Sequence, residues 1–305
     1  MIHGTHNAEE DPRNGKVWIS INGEYFQRNE AKISVFDSGY LVGDGVWEGI
    51  RLHHGKLVFI EDHLKRLWTA AKATGIKLPF SKAELISSIH SALSKNEMND
   101  GVHVRVMITR GIKKTPSQDP RLTISGPNVV IIAEYKKASA KTKDKGITLF
   151  TSSFRRGRPD YLDPKLNCHS KLHEVQALIQ AIEAGADEAL MLDFNGFVST
   201  CNATNFFIVK ENAVWTSTGA YCMNGITRQK VIDLCFENNI PCHQKNFSLY
   251  DTYSADEAFV TGTFGGLTPV SAIDGKPIEN QTEIALTKKL DRLYEQLIAD
   301  ESKAK

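Results

Sequence analysis

The segment Glu188–Ser217, EALMLDFNGFVSTCNATNFFIVKENAVWTS, decides the fold. Its apolar runs are rich in β-formers, and Asn195-Gly196 between the first two is a strong hairpin-turn signal, so several short strands are expected. Just upstream, Leu172, Val175, Ile179 and Ile182 recur at helical spacing and stop before Gly185, which predicts a helix leading into the strands. Further upstream, ITLFTSSF reads as another strand. Downstream, helices are predicted over about 226–238 and about 282–299, the latter with Leu286, Leu290, Leu293 and Leu297 on one face. Strands and helices interleave without a simple βαβ rhythm, and the expectation is a mixed α/β chain.

The N-terminal half follows the same logic. Residues 1–15 are polar and aperiodic and read as a flexible arm. VWISINGEYF places an Asn-Gly turn between two apolar stretches, a hairpin pattern. Leu64, Leu67, Trp68 and Ala71 form a helical stripe ending near Gly75; Ser81 and Glu84 have capping-box spacing before Leu85, Ile86, Ile89 and Leu93. VHVRVMITRG and NVVIIAEY are β-rich, and the polar KKASAKTKDKG after them reads as a connector. The predicted organisation is an N-terminal α/β domain over 16–135, a connector over 136–146 and a C-terminal α/β domain over 147–305.

The chain has 305 residues, and 37 Lys plus Arg against 36 Asp plus Glu leave a charge of +1. That balance argues against a broad nucleic-acid surface. No apolar run approaches the roughly 20 residues of a membrane span, and no secretory pattern opens the chain, so a cytoplasmic protein without nucleic-acid or membrane partners is expected. Cys168, Cys201, Cys222, Cys235 and Cys242 are odd in number and hold no CxxC, which predicts reduced thiols.

Generic catalytic motifs are missing. Gly43, Gly45 and Gly49 do not fit the dinucleotide fingerprint, and His169 and His173, four apart as on one helix face, lack the Glu of HExxH, so no metal is expected. Gly225-Ile226-Thr227-Arg228 precedes a predicted helix whose free N–H groups suit a phosphate, though an ordinary capped helix fits as well. Thr261–Gly266, TGTFGG, is a second small-residue loop that serves either an anion or a tight turn.

DSGYLVGDGVWEGIR at 37–51, EDHLKRL at 61–67, VHVRVMITRG, SSFRRGRPD at 152–160, AGADEALMLDFNGFV, NFFIV, NGITR and FVTGTFGGLTPV together resemble the class IV aminotransferases, the fold type IV pyridoxal-phosphate enzymes that include branched-chain and D-amino-acid aminotransferases. The resemblance spans about residues 17–280. It implies a two-domain fold type IV architecture, a homodimer, pyridoxal 5'-phosphate or pyridoxamine phosphate held between the domains, and a small amino or keto acid as substrate. It places Arg66 on the cofactor phosphate with the backbone at Gly225, Ile226 and Thr227 and with Thr263 and Phe264. Arg105 falls where the branched-chain enzymes present an arginine to substrate, although an interior salt-bridge role is also open, and Val42 and Trp47 stand where those enzymes carry Tyr and Phe.

Two positions depart from the family pattern. Counted without gaps from Ser152 forward and from Gly185 backward, the Schiff-base lysine position is Asn167. An amide is no nucleophilic amine and cannot shuttle the Cα proton. Counted back from Asn205, the glutamate that faces the pyridine nitrogen is replaced by Thr200, whose hydroxyl carries no charge. Lys165, on Asn167's face if a strand continues there, and Lys171, on the following helix, are candidate replacements; a surface lysine is the alternative for each. Cys168, His169 and Cys201 adjoin the altered positions. The expectation is an aminotransferase-like enzyme with Lys171 as base and His169 behind it, its cofactor held without the usual covalent bond. The alternative is a non-transaminating homologue that uses the phosphate site for another reaction or for ligand binding only.

Overall fold

Asn22 and Gly23 both adopt positive φ, 54° and 88°, the conformation a two-residue hairpin turn demands and that Asn and Gly supply at least cost. They join β1 (Trp18–Ile21) to β2 (Glu24–Gln27). The computed structural model describes residues 4–5, 8–278 and 285–303, and these divide into two compact units.

One unit comprises Glu10–Lys137, Leu166–Lys171 and the chain from Glu301 on. After the hairpin come α1 (Ser38–Val42), β3 (Gly45–His53), β4 (Lys56–Leu57), α2 (Ile60–Ala73), α3 (Lys82–Lys95), β5 (Val102–Thr109) and β6 (Asn128–Tyr135). The sheet order is β2-β1-β6-β5-β3-β4, antiparallel throughout. Alternation along β5 buries Val102, Val104, Val106 and Ile108 and turns His103, Arg105 and Met107 to the opposite face. The buried residues pack with Leu64 and Leu67 of α2 and Leu85 and Ile89 of α3. Burial of each such side chain stabilises by about 1.5–3 kcal/mol. The Ser81–Glu84 capping box forms as expected, starting α3. Residues 166–171 return to this sheet: Cys168 bridges Val46, and Trp47 and His169 donate their amides to Asn167 and Gly45 carbonyls at 3.0 and 2.9 Å.

The other unit comprises the stretch ending at Glu9, Ala138–Lys165 and Leu172–Asp300. It holds α4 (Ala140–Lys145), β7 (Ile147–Thr151), α5 (Leu172–Glu183), β8 (Glu188–Leu192), β9 (Val198–Cys201), β10 (Asn205–Lys210), β11 (Ala213–Thr216), α6 (Ile226–Glu237), β12 (Cys242–Gln244), α7 (Leu249–Tyr253), β13 (Glu257–Gly262), β14 (Gly266–Ile273), β15 (Lys276–Pro277) and α8 (Leu286–Lys303). The sheet runs β12-β11-β10-β13-β14-β7-β8-β9, with β15 on β14. The β7–β8, β14–β7 and β11–β12 pairs are parallel. Ile147, Leu149, Leu190, Phe206, Ile208, Val260 and Val270 centre its core.

Several expectations are corrected. The N-terminal arm is not uniformly loose: Thr5 is buried and donates its amide to Glu188 at 3.2 Å, and its hydroxyl bonds the same carboxylate. The connector contains α4, because Ala and Lys favour helix and Gly146, at φ 73°, ends it. The helix expected upstream of Gly185 forms as α5, and its apolar stripe faces outward: Leu172, Val175, Ile179 and Ile182 are 48–72% exposed. Ala177 and Ala181 face the sheet instead, packing with Ala189 and Met191 because small side chains permit close approach. On α8 the buried line is Thr287, Leu290, Tyr294 and Ile298 rather than four leucines. The start proposed for that helix, 282–284, lies outside the described residues.

Candidate functional site

The candidate residues fall into two groups, one in each unit. In the first, Glu48 sits on β3 at 0% exposure and receives three contacts from α2: Arg66 Nε at 2.7 Å and Nη2 at 2.8 Å, and His63 Nδ1 at 2.7 Å. Positions 63 and 66 share a helix face at i, i+3 spacing, which aims both side chains at the strand. Burial pushes the Glu48 carboxyl up, but the Arg66 guanidinium and the His63 ring more than offset it, and the net displacement is below the ordinary 4.5. Glu48 and His63 were missed in the sequence. The signal was a lone carboxylate inside the apolar run Val46–Leu52.

On the same unit, the Arg105 guanidinium lies over the Trp47 ring, 4.2 Å from its centroid. Arg105 pairs with Gly49 across the sheet, and no side chain there separates it from Trp47. Asn167 is 1% exposed and faces Trp47 twice: its backbone carbonyl accepts the Trp47 amide, and its Nδ2 donates to the Trp47 carbonyl at 2.7 Å. The carbonyl acceptor fixes the amide orientation, leaving Oδ1 buried without a partner. Trp47 Nε1 adds a bond to the Cys168 carbonyl at 3.1 Å. Val42, the last residue of α1, is 38% exposed.

His169 is not on a helix but at a bend in the irregular stretch before α5. Gly39 and Gly45 make room for it: a Cβ on either would lie 3.1 or 2.8 Å from its Nδ1. Burial holds its pKa below the ordinary 6.5, with Asp37 only partly opposing, so the ring is neutral near pH 7 and its buried Nε2 has no partner. His173 belongs to the other unit, with Nδ1 2.7 Å from Glu174 and Nε2 3.2 Å from Arg156. Lys171 precedes α5 and is half-buried. Lys165 is exposed in a turn closed by its amide on Asp163, so it does not continue a strand toward Asn167.

In the second group, Asn205 opens β10 beside Thr261 of β13. Its Nδ2 donates to the Met223 carbonyl at 2.8 Å and approaches Thr200 Oγ1 at 3.4 Å. Gly225 packs so closely on Asn205 that a Cβ there would lie 2.2 Å from Oδ1. Gly225 is thereby the N-cap of α6 and offers no side chain to the first-turn amides of Ile226 and Thr227. Asn205, missed in the sequence, is the hub that ties this helix start to Thr200 and Thr261. Thr200 itself is buried and donates to the Thr204 carbonyl at 2.7 Å, beside a β-bulge in the β8–β9 pairing. Cys201 next to it is held well above its ordinary pKa by burial, so it stays a thiol. Thr263 and Phe264 occupy the turn between β13 and β14, and all five cysteines are free.

The profile of the amino-transferase class IV family matches residues 45–273. Branched-chain-amino-acid aminotransferase-like protein 2 of Arabidopsis thaliana is 38% identical over 94% of this chain, which spans about half (51%) of that relative. The branched-chain-amino-acid aminotransferase of Pseudomonas aeruginosa is 31% identical, with 96% of this chain and 95% of the relative covered. The crystal structure of the T.th. branched-chain amino acid aminotransferase with pyridoxamine 5'-phosphate superposes with a TM-score of 0.85 at 28% identity, covering 93% of this chain and 95% of that one. The chain belongs to the class IV aminotransferase family and has its mixed α/β, fold type IV architecture. Among the described residues, no helix is long and apolar enough to cross a membrane.

Proposed function

We propose that the chain binds pyridoxal 5'-phosphate or pyridoxamine phosphate and acts as an atypical aminotransferase-like enzyme on a small amino or keto acid. The observation that carries this reading is the start of α6. A glycine N-cap without a side-chain acceptor, pressed against Asn205, leaves the Ile226 and Thr227 amides and the helix dipole for an anion. Arg66, Thr263 and Phe264 are the further phosphate candidates, on the family resemblance alone. When bound, the cofactor would supply an electron-withdrawing ring, with an electrophilic aldehyde in the pyridoxal form and an amine in the pyridoxamine form.

The chain's own residues limit that chemistry. Asn167 holds its segment to β3 and offers no amine, and Thr200 spends its hydroxyl on a backbone carbonyl. Proton transfer then falls to Lys171 or to the neutral His169 ring. These same facts favour the second reading, a homologue that binds the phosphate ligand without transaminating. Absorbance spectra after addition of pyridoxal phosphate, followed by borohydride reduction and peptide mapping, test the proposal. The expected result is saturable binding with a free-aldehyde spectrum and no adduct. An adduct on Lys171 or Lys165 overturns the non-covalent reading, and absence of binding overturns the cofactor.

We also propose a homodimer, with the outward face of α5 in the interface. Four exposed apolar residues on 172–182 make a strip about 15 Å long, without charge and self-complementary under two-fold symmetry. Light scattering is expected to report about twice the 33.9 kDa chain mass and Ile179→Asp to shift it toward the monomer. A dimer that tolerates Ile179→Asp with Val175→Asp places the interface elsewhere.

A further inference from the structure

At the corner between β3 and β4, His53 Nδ1 lies 3.3 Å from Asp100 Oδ1, and His54 Nδ1 lies 3.6 Å from Asp100 Oδ2. One ligand atom from each of the three residues falls within 4.8 Å of the others. These separations are long for hydrogen bonds between imidazole and carboxylate. The chain provides its own comparison, because His63–Glu48 and His173–Glu174 both close to 2.7 Å. Metal–ligand bonds of about 2.0–2.1 Å in a tetrahedral array set donor atoms about 3.3 Å apart, which is the separation of His53 Nδ1 from Asp100 Oδ1, and His54 Nδ1 stands beside the other oxygen of the same carboxylate.

The corner is preorganised. His54 and Gly55 adopt φ of 47° and 78°, which turns the hairpin in two residues. The His54 amide donates to Asp100 Oδ1 at 2.9 Å, and the Gly55 amide to the Asn99 carbonyl at 2.7 Å. The two histidine rings lie 4.2 Å apart between centroids. Two imidazole nitrogens and one carboxylate oxygen form a donor set of borderline softness, and partial exposure leaves room for water.

We propose that His53, His54 and Asp100 bind one divalent transition-metal ion of the zinc type, with water as the fourth ligand, clamping the β3–β4 hairpin to the turn between α3 and β5. The site uses none of the residues assigned to the cofactor.

The test is calorimetric titration of the metal-stripped full chain with ZnCl2, with thermal unfolding in parallel. Asp100→Asn keeps an acceptor for the His54 amide, and His54→Asn tolerates the left-handed backbone, so both variants keep the fold, which circular dichroism verifies. Because thiols also take zinc, the readout is the difference between chains. The wild type is expected to bind one equivalent more than the Asp100→Asn, His54→Asn double variant, or to bind that equivalent at least tenfold more tightly. Its midpoint should rise by about 5 °C at a hundredfold excess over Kd, without a matching rise in the variant. Identical titrations of both chains, or no uptake by the wild type at about 0.1 mM Zn2+, overturn the site.

Discussion

Replacing Arg66 with alanine is expected to cost about 3–5 kcal/mol of stability at pH 7, because it leaves the buried Glu48 carboxylate with only His63 against it. The pH dependence separates this from loss of packing. In the wild type the Glu48 pKa is lowered, so its contribution is present above the ordinary 4.5 and is lost as pH falls through the folded value. Without Arg66 burial prevails over His63 alone and the pKa is expected to rise, so the folded variant prefers the protonated acid and loses stability as pH increases. The gap between the two proteins should therefore be larger at pH 7 than at pH 5, read by urea unfolding at both. In the variant fraction that remains folded, pyridoxal phosphate affinity is expected to drop at least tenfold, about 1.4 kcal/mol. A gap independent of pH would remove the ion pair from the account, whereas unchanged affinity would remove Arg66 from the phosphate site.

The Arg66–Glu48 pair shows what sequence reading reaches and what it leaves out. The β1–β2 turn, the capping box of α3 and the start of α6 rest on short-range chemistry, and each reads directly from a few residues. The family motifs placed the candidates in order along the chain. What failed was anything set by partners distant in sequence. The α5 stripe has helical periodicity, but periodicity reports that a face is apolar, not that this chain covers it. Here Ala177 and Ala181 meet the sheet. Lys165 has suitable spacing from Asn167, yet Pro164 and Asp163 make a turn where a strand was needed. His169 and His173 share helical spacing, but α5 starts only at Leu172, so that spacing has no geometric meaning. Glu48 and Asn205 went unnoticed because a buried polar residue becomes visible only when its distant partners are in place.

Restoring Asn167→Lys together with Thr200→Glu is expected to produce a borohydride-trapped adduct of pyridoxal phosphate at position 167 and measurable half-transamination, both more strongly than either change alone. Lysine supplies the attachment and a mobile base, and the carboxylate keeps the pyridine nitrogen protonated. Both act on one transition state, so the double variant should exceed the product of the two single effects. The structure predicts costs as well. Asn167→Lys forfeits the bond to the Trp47 carbonyl, about 1–3 kcal/mol if that group stays unpaired. The backbone bond from the Trp47 amide survives and keeps the segment on β3. Thr200→Glu introduces a longer, charged side chain at a site 4% exposed, where the Asn205 amide, now 3.4 Å from the hydroxyl, is the available donor. The single Thr200→Glu variant should therefore be the less stable of the two. Peptide mapping after reduction locates any adduct, and single-turnover kinetics with several amino acids measure the chemistry. An adduct elsewhere in the folded double variant would mean that the family's lysine position is not Asn167. An adduct at 167 without half-transamination would mean that these two residues are not enough for the reaction, with Val42 and Trp47 next to be exchanged.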